Sequence, residues 1–329
     1  MTIRIGLDVT ALAQTRAGTA RYIEGLAREL RRRSDLELHE RAFGGRSRAW
    51  NVPRDLLWYP VVLPFTTRGL AVLHCPTYRA PLGGSAPLVV TVHDLAVFRH
   101  PDAFNRWSRT YGPIVIPRVL RAARGVIAVS EFTKRELVEL LSVGEEKIRV
   151  IPNGVEEAFA PGGPAAEGDY VLAVGTIEPR KNLPRVAEAA RRAGVELRVV
   201  GARGWGAVDL DGAGVRWLGD VRDNELARLY RGARCVAYAS LYEGFGIPVL
   251  EAMASGAPVV TSRGGATEEI AGGAAVLVDP LDAADIAAGF ERAAAQRDEL
   301  VRRGVERART FSWRAAAEAT VDVYREVAS

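Results

Sequence analysis

The sequence is poor in the residues that most often build metal sites and disulfides. Two cysteines, Cys75 and Cys235, and four histidines are spread over 329 residues. None approach one another in Cys/His ligand spacing, which argues against a structural zinc. Both cysteines stand in apolar, strand-like contexts in different halves. That predicts buried free thiols and suits a cytoplasmic setting. No apolar run approaches a membrane span in length. The chain enters a strand pattern at Ile3, which predicts no signal peptide. Self-similarity at a period of 20–50 residues is missing, which excludes a solenoid. Ile3–Val9 is not followed by a Gly-x-Gly-x-x-Gly turn, which weakens a dinucleotide oxidoreductase. Charge of one sign is not in large excess: Lys and Arg together number 44 against 40 Asp and Glu. A net +4 spread along the chain is too little to imply nucleic-acid binding. Lysine itself is scarce, with only Lys134, Lys147 and Lys181 in an arginine-dominated chain.

What is present is a strand–helix alternation repeated twice. In the first half, Ile3–Val9, Leu36–Phe43, Ala71–Cys75, Leu88–Val92, Gly125–Val129 and Ile148–Ile151 are short, continuous apolar runs. Such runs suit parallel strands covered on both faces. Thr19–Arg33 carries apolar residues at helical spacing with an arginine-rich opposite side. Ser130 is placed as the N-cap of a helix to Leu141. The stretch from Glu156 to Gly168 is rich in Pro, Gly and Ala and reads as a linker. After it come strands Tyr170–Val174, Glu196–Val200, Val215–Leu218, Cys235–Ala239, Pro258–Thr261 and Ala275–Val278. Helices are expected over Asn182–Ala193, Asp223–Arg231, Ile247–Ser255, Asp282–Gln296 and Trp313–Val327. Six strands on each side of the linker predict two doubly wound, Rossmann-like α/β domains. Ligands of such sheets bind beyond the carboxyl ends of the strands. Polar and glycine-rich residues do gather there: Asp8, Gly18, His93, Asp94, Gly175 to Lys181, Gly201 to Gly206, Glu243 to Gly246 and Gly264-Gly265. We expect a two-domain cleft enzyme.

The most informative stretch is Ser240 to Gly256. It reads as a strand end, a glycine-rich turn and a helix start. Gly244 and Gly246 allow close backbone approach and φ > 0. Pro248 suits the first turn of the helix, and Gly256 suits its end. Amides at a helix N-terminus favour an anion, and the carboxylates of Glu243 and Glu251 suit sugar hydroxyls. Together they suggest a nucleotide-sugar site.

The run Glu243-Gly-Phe-Gly-Ile-Pro-Val-Leu-Glu251-Ala-Met-Ala-Ser-Gly-Ala-Pro-Val-Val resembles the Glu-x7-Glu signature of the retaining glycosyltransferases of family 4, which have the GT-B fold. Arg149-Val-Ile-Pro-Asn-Gly-Val155, Val174-Gly-Thr-Ile-Glu-Pro-Arg-Lys-Asn-Leu183, Gly204-Trp205 and Leu218 to Leu226 are also similar to that family. Gly18-Thr-Ala-Arg-Tyr22 and Thr91-Val-His-Asp-Leu95 match it more loosely. The resemblance implies an acceptor-binding domain over 1–160 and a donor-binding domain over 161–310. Residues 311–329 would form a helix returning to the first domain. It implies transfer of a mannose-like hexose from a nucleoside diphosphate, a GDP-sugar by the form of Gly175–Leu183. The acceptor would be a hydroxyl of a glycan, a lipid-linked or a small molecule. Glu251 would hold the donor ribose. Glu243 with Gly244, Phe245, Gly246 and Ile247 would address the transferred sugar and the diphosphate. Lys181 and Arg180 would neutralise the diphosphate. His93 would lie near the reacting sugar, Val221 would contact the base, and Gly18, Gly175 and Thr176 would border the donor. Thr176 stands where many members carry arginine, and Glu268 stands where many carry proline. No metal and no cofactor are expected. Retention by a front-face route needs no protein nucleophile, while Glu243 or Asp94 as nucleophile is the other route.

Each assignment has a plainer counterpart. A glutamate near a helix N-terminus is often only a cap, and a strand-end histidine is often structural. Arg180 suits a solvated neighbour of Lys181 as well as a second cation. Trp205 reads as loop packing. The basic run Arg28 to Arg33 suits a helix C-terminus, or attraction to anionic lipid on the inner face of a membrane. Trp50–Phe65 suits an acceptor-binding or membrane-touching surface, or ordinary packing under a loop. Two other functions stand beside the transferase: a nucleotide-sugar epimerase of GT-B architecture, and a non-catalytic two-domain binding protein.

Overall fold

The computed structural model describes residues 2–14, 18–45, 47–204 and 214–329. The chain divides into one unit of Met1–Gly154 with Trp313–Ser329, and a second of Val155–Ser312.

The first unit holds strands β1 (Ile3–Asp8), β2 (Leu36–Arg41), β3 (Val72–Cys75), β4 (Leu88–Val92), β5 (Gly125–Ala128) and β6 (Ile148–Val150). They form one sheet in the order β2-β1-β3-β4-β5-β6, every pair parallel. The inner strands β3, β4 and β5 are buried at every residue, while the edge strand β2 is not. That is why the inner strands read as unbroken apolar runs. Neighbouring residues point to opposite faces of the sheet. Val72, Val89 and Ile127 join a core with Ile23, Leu26, Trp313 and Tyr324. Leu73, Val90 and Val126 join another with Leu63, Ile116 and Leu120. The first core is closed by helices Gly18–Arg31 and Trp313–Ala328. These cross so closely that a Cβ at Gly25 would stand 2.3 Å from the Trp313 ring.

The second unit holds β7 (Tyr170–Val174), β8 (Glu196–Val200), β9 (Val215–Gly219), β10 (Cys235–Tyr238), β11 (Val259–Ser262) and β12 (Val276–Val278). Their order is β12-β11-β10-β7-β8-β9, again all parallel. The architecture is therefore two doubly wound parallel sheets, as the alternation predicts. Ser130 caps its helix by accepting from the Thr133 amide, and Asp282 caps Ala283–Ala295. Cys75 and Cys235 are buried free thiols. Burial pushes both thiols up, Cys235 to about 12. Among the described residues, no helix is long and apolar enough to cross a membrane.

Strand order fixes where each sheet can receive a ligand. The chain reverses direction across the sheet between β1 and β3, and between β7 and β10. In open parallel sheets, ligands bind beyond the carboxyl ends of the strands at such a switch point.

Candidate active site

In the second unit, the switch point is bordered by the loop after β7 and the loop after β10. The first contains Gly175, Thr176, Glu178, Arg180 and Lys181; the second contains Ser240, Tyr242 and Glu243. Gly175 takes φ +145°, and a Cβ there would meet the Lys181 side chain at 3.3 Å. Its missing side chain is what lets the lysine stem lie across the end of β7. Gly201, at the end of β8, packs as tightly: a Cβ there would stand 2.1 Å from the Gly175 carbonyl oxygen.

The charged side chains of the two loops interlock. Lys181 Nζ donates to Glu243 Oε1 at 2.7 Å and to the Tyr238 hydroxyl at 2.6 Å. Arg180 donates to Glu243 Oε2 at 3.0 Å, to the Tyr242 carbonyl at 2.7 Å and to Glu178 Oε1 at 2.7 Å. The Arg180 carbonyl accepts from the Leu241 amide at 2.9 Å. Arg180 is thus a tie between the loops, not a solvated neighbour. Burial would raise the Glu243 carboxyl, but Arg180 and Lys181 more than offset it and hold it at about 2. Burial works against the Lys181 ammonium too, yet Glu243 holds its pKa above the ordinary value. Glu178 is pushed up by burial, with Arg180 pulling the other way. The site thus presents a fixed ammonium, a fixed guanidinium and an ionised carboxylate in a largely desolvated place.

The helix Ile247–Ala254 starts from Gly246, whose φ is +101°. A Cβ at Gly246 would stand 2.9 Å from Thr267 Cγ2. Pro248 sits in the first turn, and Gly256 takes φ +75° just past the end. Glu251 lies on this helix, is 2% exposed and accepts from the Tyr230 hydroxyl at 3.1 Å. Phe245 is buried, edge-on to Phe311 at 6.1 Å, so its ring packs and only its backbone faces the turn. Val221 is half-buried between β9 and helix Asp223–Gly232. Glu268 caps the next loop by accepting from the Gly264 amide, beside Gly264 and Gly265 at φ +77° and +83°.

Sequence reasoning passed over several participants. Tyr238 ends β10 and carries Lys181 4.9 Å above its ring. Asn182 takes φ +58° and donates to the Ala239 and Pro280 carbonyls, pinning the loop beside the lysine. Tyr238 was findable as a polar side chain ending a strand at the switch point; Asn182 had no such signal. The metal-free reading also passed over one Asp-x-Asp spacing, Asp209 and Asp211. It lies outside the described residues, as do Trp205 and Gly206. Among the described residues no group of three or more His, Cys, Asp or Glu is placed to hold a metal ion.

The first unit has its own polar convergence at the β1/β3 switch point. Asp8 accepts from the Thr10 amide at 3.1 Å and from the Tyr59 hydroxyl at 3.0 Å. Burial lifts its carboxyl to about 6, against those hydrogen bonds. Next to it Asp55 accepts from Arg54 Nε at 2.9 Å and Trp107 Nε1 at 2.9 Å, and pairs with Arg79 at 3.3 Å. His93, after β4, bonds through Nε2 to the Pro76 carbonyl at 2.9 Å, so Nε2 carries the proton and Nδ1 the lone pair. Burial lowers its pKa, which favours the neutral ring. The Tyr22 ring meets it edge-on at 4.8 Å. Asp94 accepts from the Ala96 amide at 3.0 Å. Gly18 opens helix Gly18–Arg31 and is exposed.

Comparison with known proteins agrees with this architecture. Residues 155–311 match the family model described as "Glycosyl transferases group 1", and residues 16–159 match "Glycosyltransferase Family 4". The chain is 30% identical to O-antigen chain mannosyltransferase B of Escherichia coli, over 72% of this chain and 70% of that one. It is 30% identical to MMP alpha-(1->4)-mannosyltransferase of Mycolicibacterium hassiacum, over 73% of this chain and 65% of that one. The fold superposes on Anabaena Alr3699/HepE in complex with UDP and glucose with a TM-score of 0.77 at 17% identity, over 99% and 100% of the two chains.

Proposed function

This chain belongs to the group 1, family 4 glycosyltransferases and has their GT-B fold, and from that premise we propose that it is a retaining, metal-independent hexosyltransferase. The donor in this reading is a nucleoside-diphosphate sugar, mannose-like and GDP-linked. The GDP choice rests on the form of Gly175–Leu183, and mannosyltransferases at 30% identity support the mannose-like sugar. The acceptor is a hydroxyl of a glycan, a lipid-linked or a small molecule. Work at the cytoplasmic face, with peripheral contact to an anionic membrane, accompanies the lipid-linked case.

The observation that carries the reading is the Lys181–Glu243–Arg180 constellation at the β7/β10 switch point. In the reaction, the bond between the anomeric carbon and the β-phosphate oxygen breaks, and the acceptor oxygen attacks the anomeric carbon from the same face. The acceptor proton passes to the leaving phosphate oxygen. Negative charge grows on that diphosphate, and Lys181 with Arg180 stabilises it where water is already displaced. Preorganised cations of this kind supply what a metal supplies elsewhere. Glu243 hydrogen-bonds the transferred sugar. A carboxylate held by two cations is a poor nucleophile, which favours the front-face route over a covalent one. Glu251, steadied by Tyr230, accepts from the ribose hydroxyls. Val221 meets the base, and Thr176, Gly246 and Ile247 line the diphosphate path. Gly18 and His93 of the first unit keep the roles that the resemblance implies, Gly18 toward a diphosphate and the His93 Nδ1 lone pair toward a sugar hydroxyl.

Incubation with a GDP-hexose and candidate acceptors, followed by NMR of the product's anomeric centre, tests this. Retained configuration in a glycoside supports it. Conversion of the donor without acceptor assigns an epimerase, and binding without turnover assigns a non-catalytic protein.

A further inference from the structure

His74 is fully buried and belongs to neither switch-point cluster. It lies on β3 and shares the sheet face of Val72, which packs against helices Gly18–Arg31 and Trp313–Ala328. Its Nδ1 stands 2.6 Å from the Tyr324 hydroxyl, and its Nε2 stands 2.8 Å from Thr91 Oγ1. Thr91, on β4, lies in turn 2.9 Å from the Tyr22 hydroxyl. Tyr324, His74, Thr91 and Tyr22 are therefore joined in one hydrogen-bonded chain, and no member is more than 1% exposed. Burial, with His93 nearby, lowers the His74 pKa to about 3, so the ring is neutral. A neutral imidazole donates from one nitrogen and accepts at the other, so His74 engages Tyr324 and Thr91 at once.

The chain ends against His93. The Tyr22 ring meets the His93 ring edge-on, with an angle of 78° between their planes. It also meets the Trp313 ring at 6.1 Å. Trp313 and Tyr324 stand on the same C-terminal helix, which belongs to the first unit although the second unit precedes it in sequence. That helix thus grips Tyr22 twice, directly through Trp313 and through Tyr324 by way of His74 and Thr91. Packing alone does not call for these polar groups. The core around them is apolar, and apolar pairs of the same shape would cost little there. A satisfied buried network adds direction, because it fixes one arrangement of its members. His93 donates Nε2–H to the Pro76 carbonyl, and the Tyr22 edge supplies its second constraint. We propose that Tyr324 is a positioning residue that acts through His74, Thr91 and Tyr22 to hold the His93 ring with Nδ1 open. Its effect on catalysis rests on the reading that His93 Nδ1 meets a sugar hydroxyl; its hold on the ring does not.

The test reads the His93 ring apart from turnover. Proton–nitrogen correlation spectra of the four histidines, with His93 assigned by His93→Gln, should show a single His93 pattern in the parent, protonated on Nε2. Tyr324→Phe removes a hydroxyl and keeps the ring. It should displace or broaden that pattern and lower kcat about threefold to tenfold, the scale of one hydrogen bond, with the KM for the donor changed by less than about twofold. Thr91→Val should do the same, and Thr91→Ser, which keeps the hydroxyl, should recover most of both. Tyr324→Phe with Thr91→Val should lose no more than either alone, since both cut one chain. His93 signals that stay in place in Tyr324→Phe, or losses that multiply in the double variant, overturn the proposal, even where the melting temperature falls. His93 signals that move as expected, in a protein whose parent turns over no nucleotide sugar, uphold the hold on the ring and count against the sugar-transfer reading.

Discussion

Lys181 Nζ lies 2.7 Å from Glu243 Oε1, and each partner holds the other in its charged form. An incoming diphosphate must compete with Glu243 for that ammonium and for Arg180. Glu243→Gln removes the competitor. Calorimetry should show pyrophosphate or a nucleoside diphosphate binding about tenfold tighter, as for about 1.4 kcal/mol of released competition. Sugar transfer should fall at the same time, because the carboxylate's contact with the sugar is lost. Weaker diphosphate binding would contradict the competition.

Lys181→Ala should reduce turnover by about a hundredfold to a thousandfold, the scale of removing one preorganised charge donor. A near-normal rate would take Lys181 out of the diphosphate site. Lys181→Arg should restore part of the rate only, since a guanidinium cannot reproduce the bonds to Tyr238 and Glu243 from the same stem.

Asp8 gives stability an unusual pH slope. Its folded carboxyl titrates at about 6 against 3.8 unexposed to the fold. The native state therefore binds the proton more tightly than the unfolded chain. That contribution is complete below about 4 and is lost as pH rises through about 6, up to roughly 3 kcal/mol. Asp8→Asn should flatten the melting temperature over that window. Glu243 acts with the opposite sign: its stabilisation is present above 4.5 and lost as pH falls toward about 2. An Asp8→Asn profile parallel to the parent between about pH 4 and 6 would contradict the raised pKa.

Gly25→Ala places a methyl 2.3 Å from the Trp313 ring. Overpacking of this kind costs about 1–3 kcal/mol, which calorimetry reads as a lower melting temperature. Trp313→Ala in the same chain should recover part of the loss. A double variant no better than the sum of the two singles would show that the helices do not meet through this pair.

The strands were legible because the inner ones are buried on both faces and so carry unbroken β-branched runs, as in Leu88–Val92. Glu243 and Gly246 were legible as a glycine turn into a helix and Lys181 through the family resemblance, and the structure brings Lys181 and Glu243 together at the switch point. Less legible were helices that contain proline. Arg106–Ala122 holds Pro113 and Pro117, and the 51–65 run holds Pro53, Pro60 and Pro64. Local propensity breaks a helix at such residues, and packing overrides it. The burial of Arg54 and Asp55 in that run was hidden for a further reason. Periodicity groups Leu56, Leu57 and Val61 on one side, but only the fold decides which side is inward. Tyr238 joined the site through topology, since β7 and β10 lie far apart in sequence.

The central claim is a nucleotide-sugar site built on Lys181, and a thermal-shift screen against GDP-, UDP-, dTDP- and ADP-sugars tests it most directly. At about 100 times its dissociation constant the true donor should add about 2.7 kcal/mol of stability to the parent protein. Lys181→Ala should lose most of that shift. A parent melting curve that no nucleotide sugar moves, or a shift that Lys181→Ala retains in full, would contradict the account.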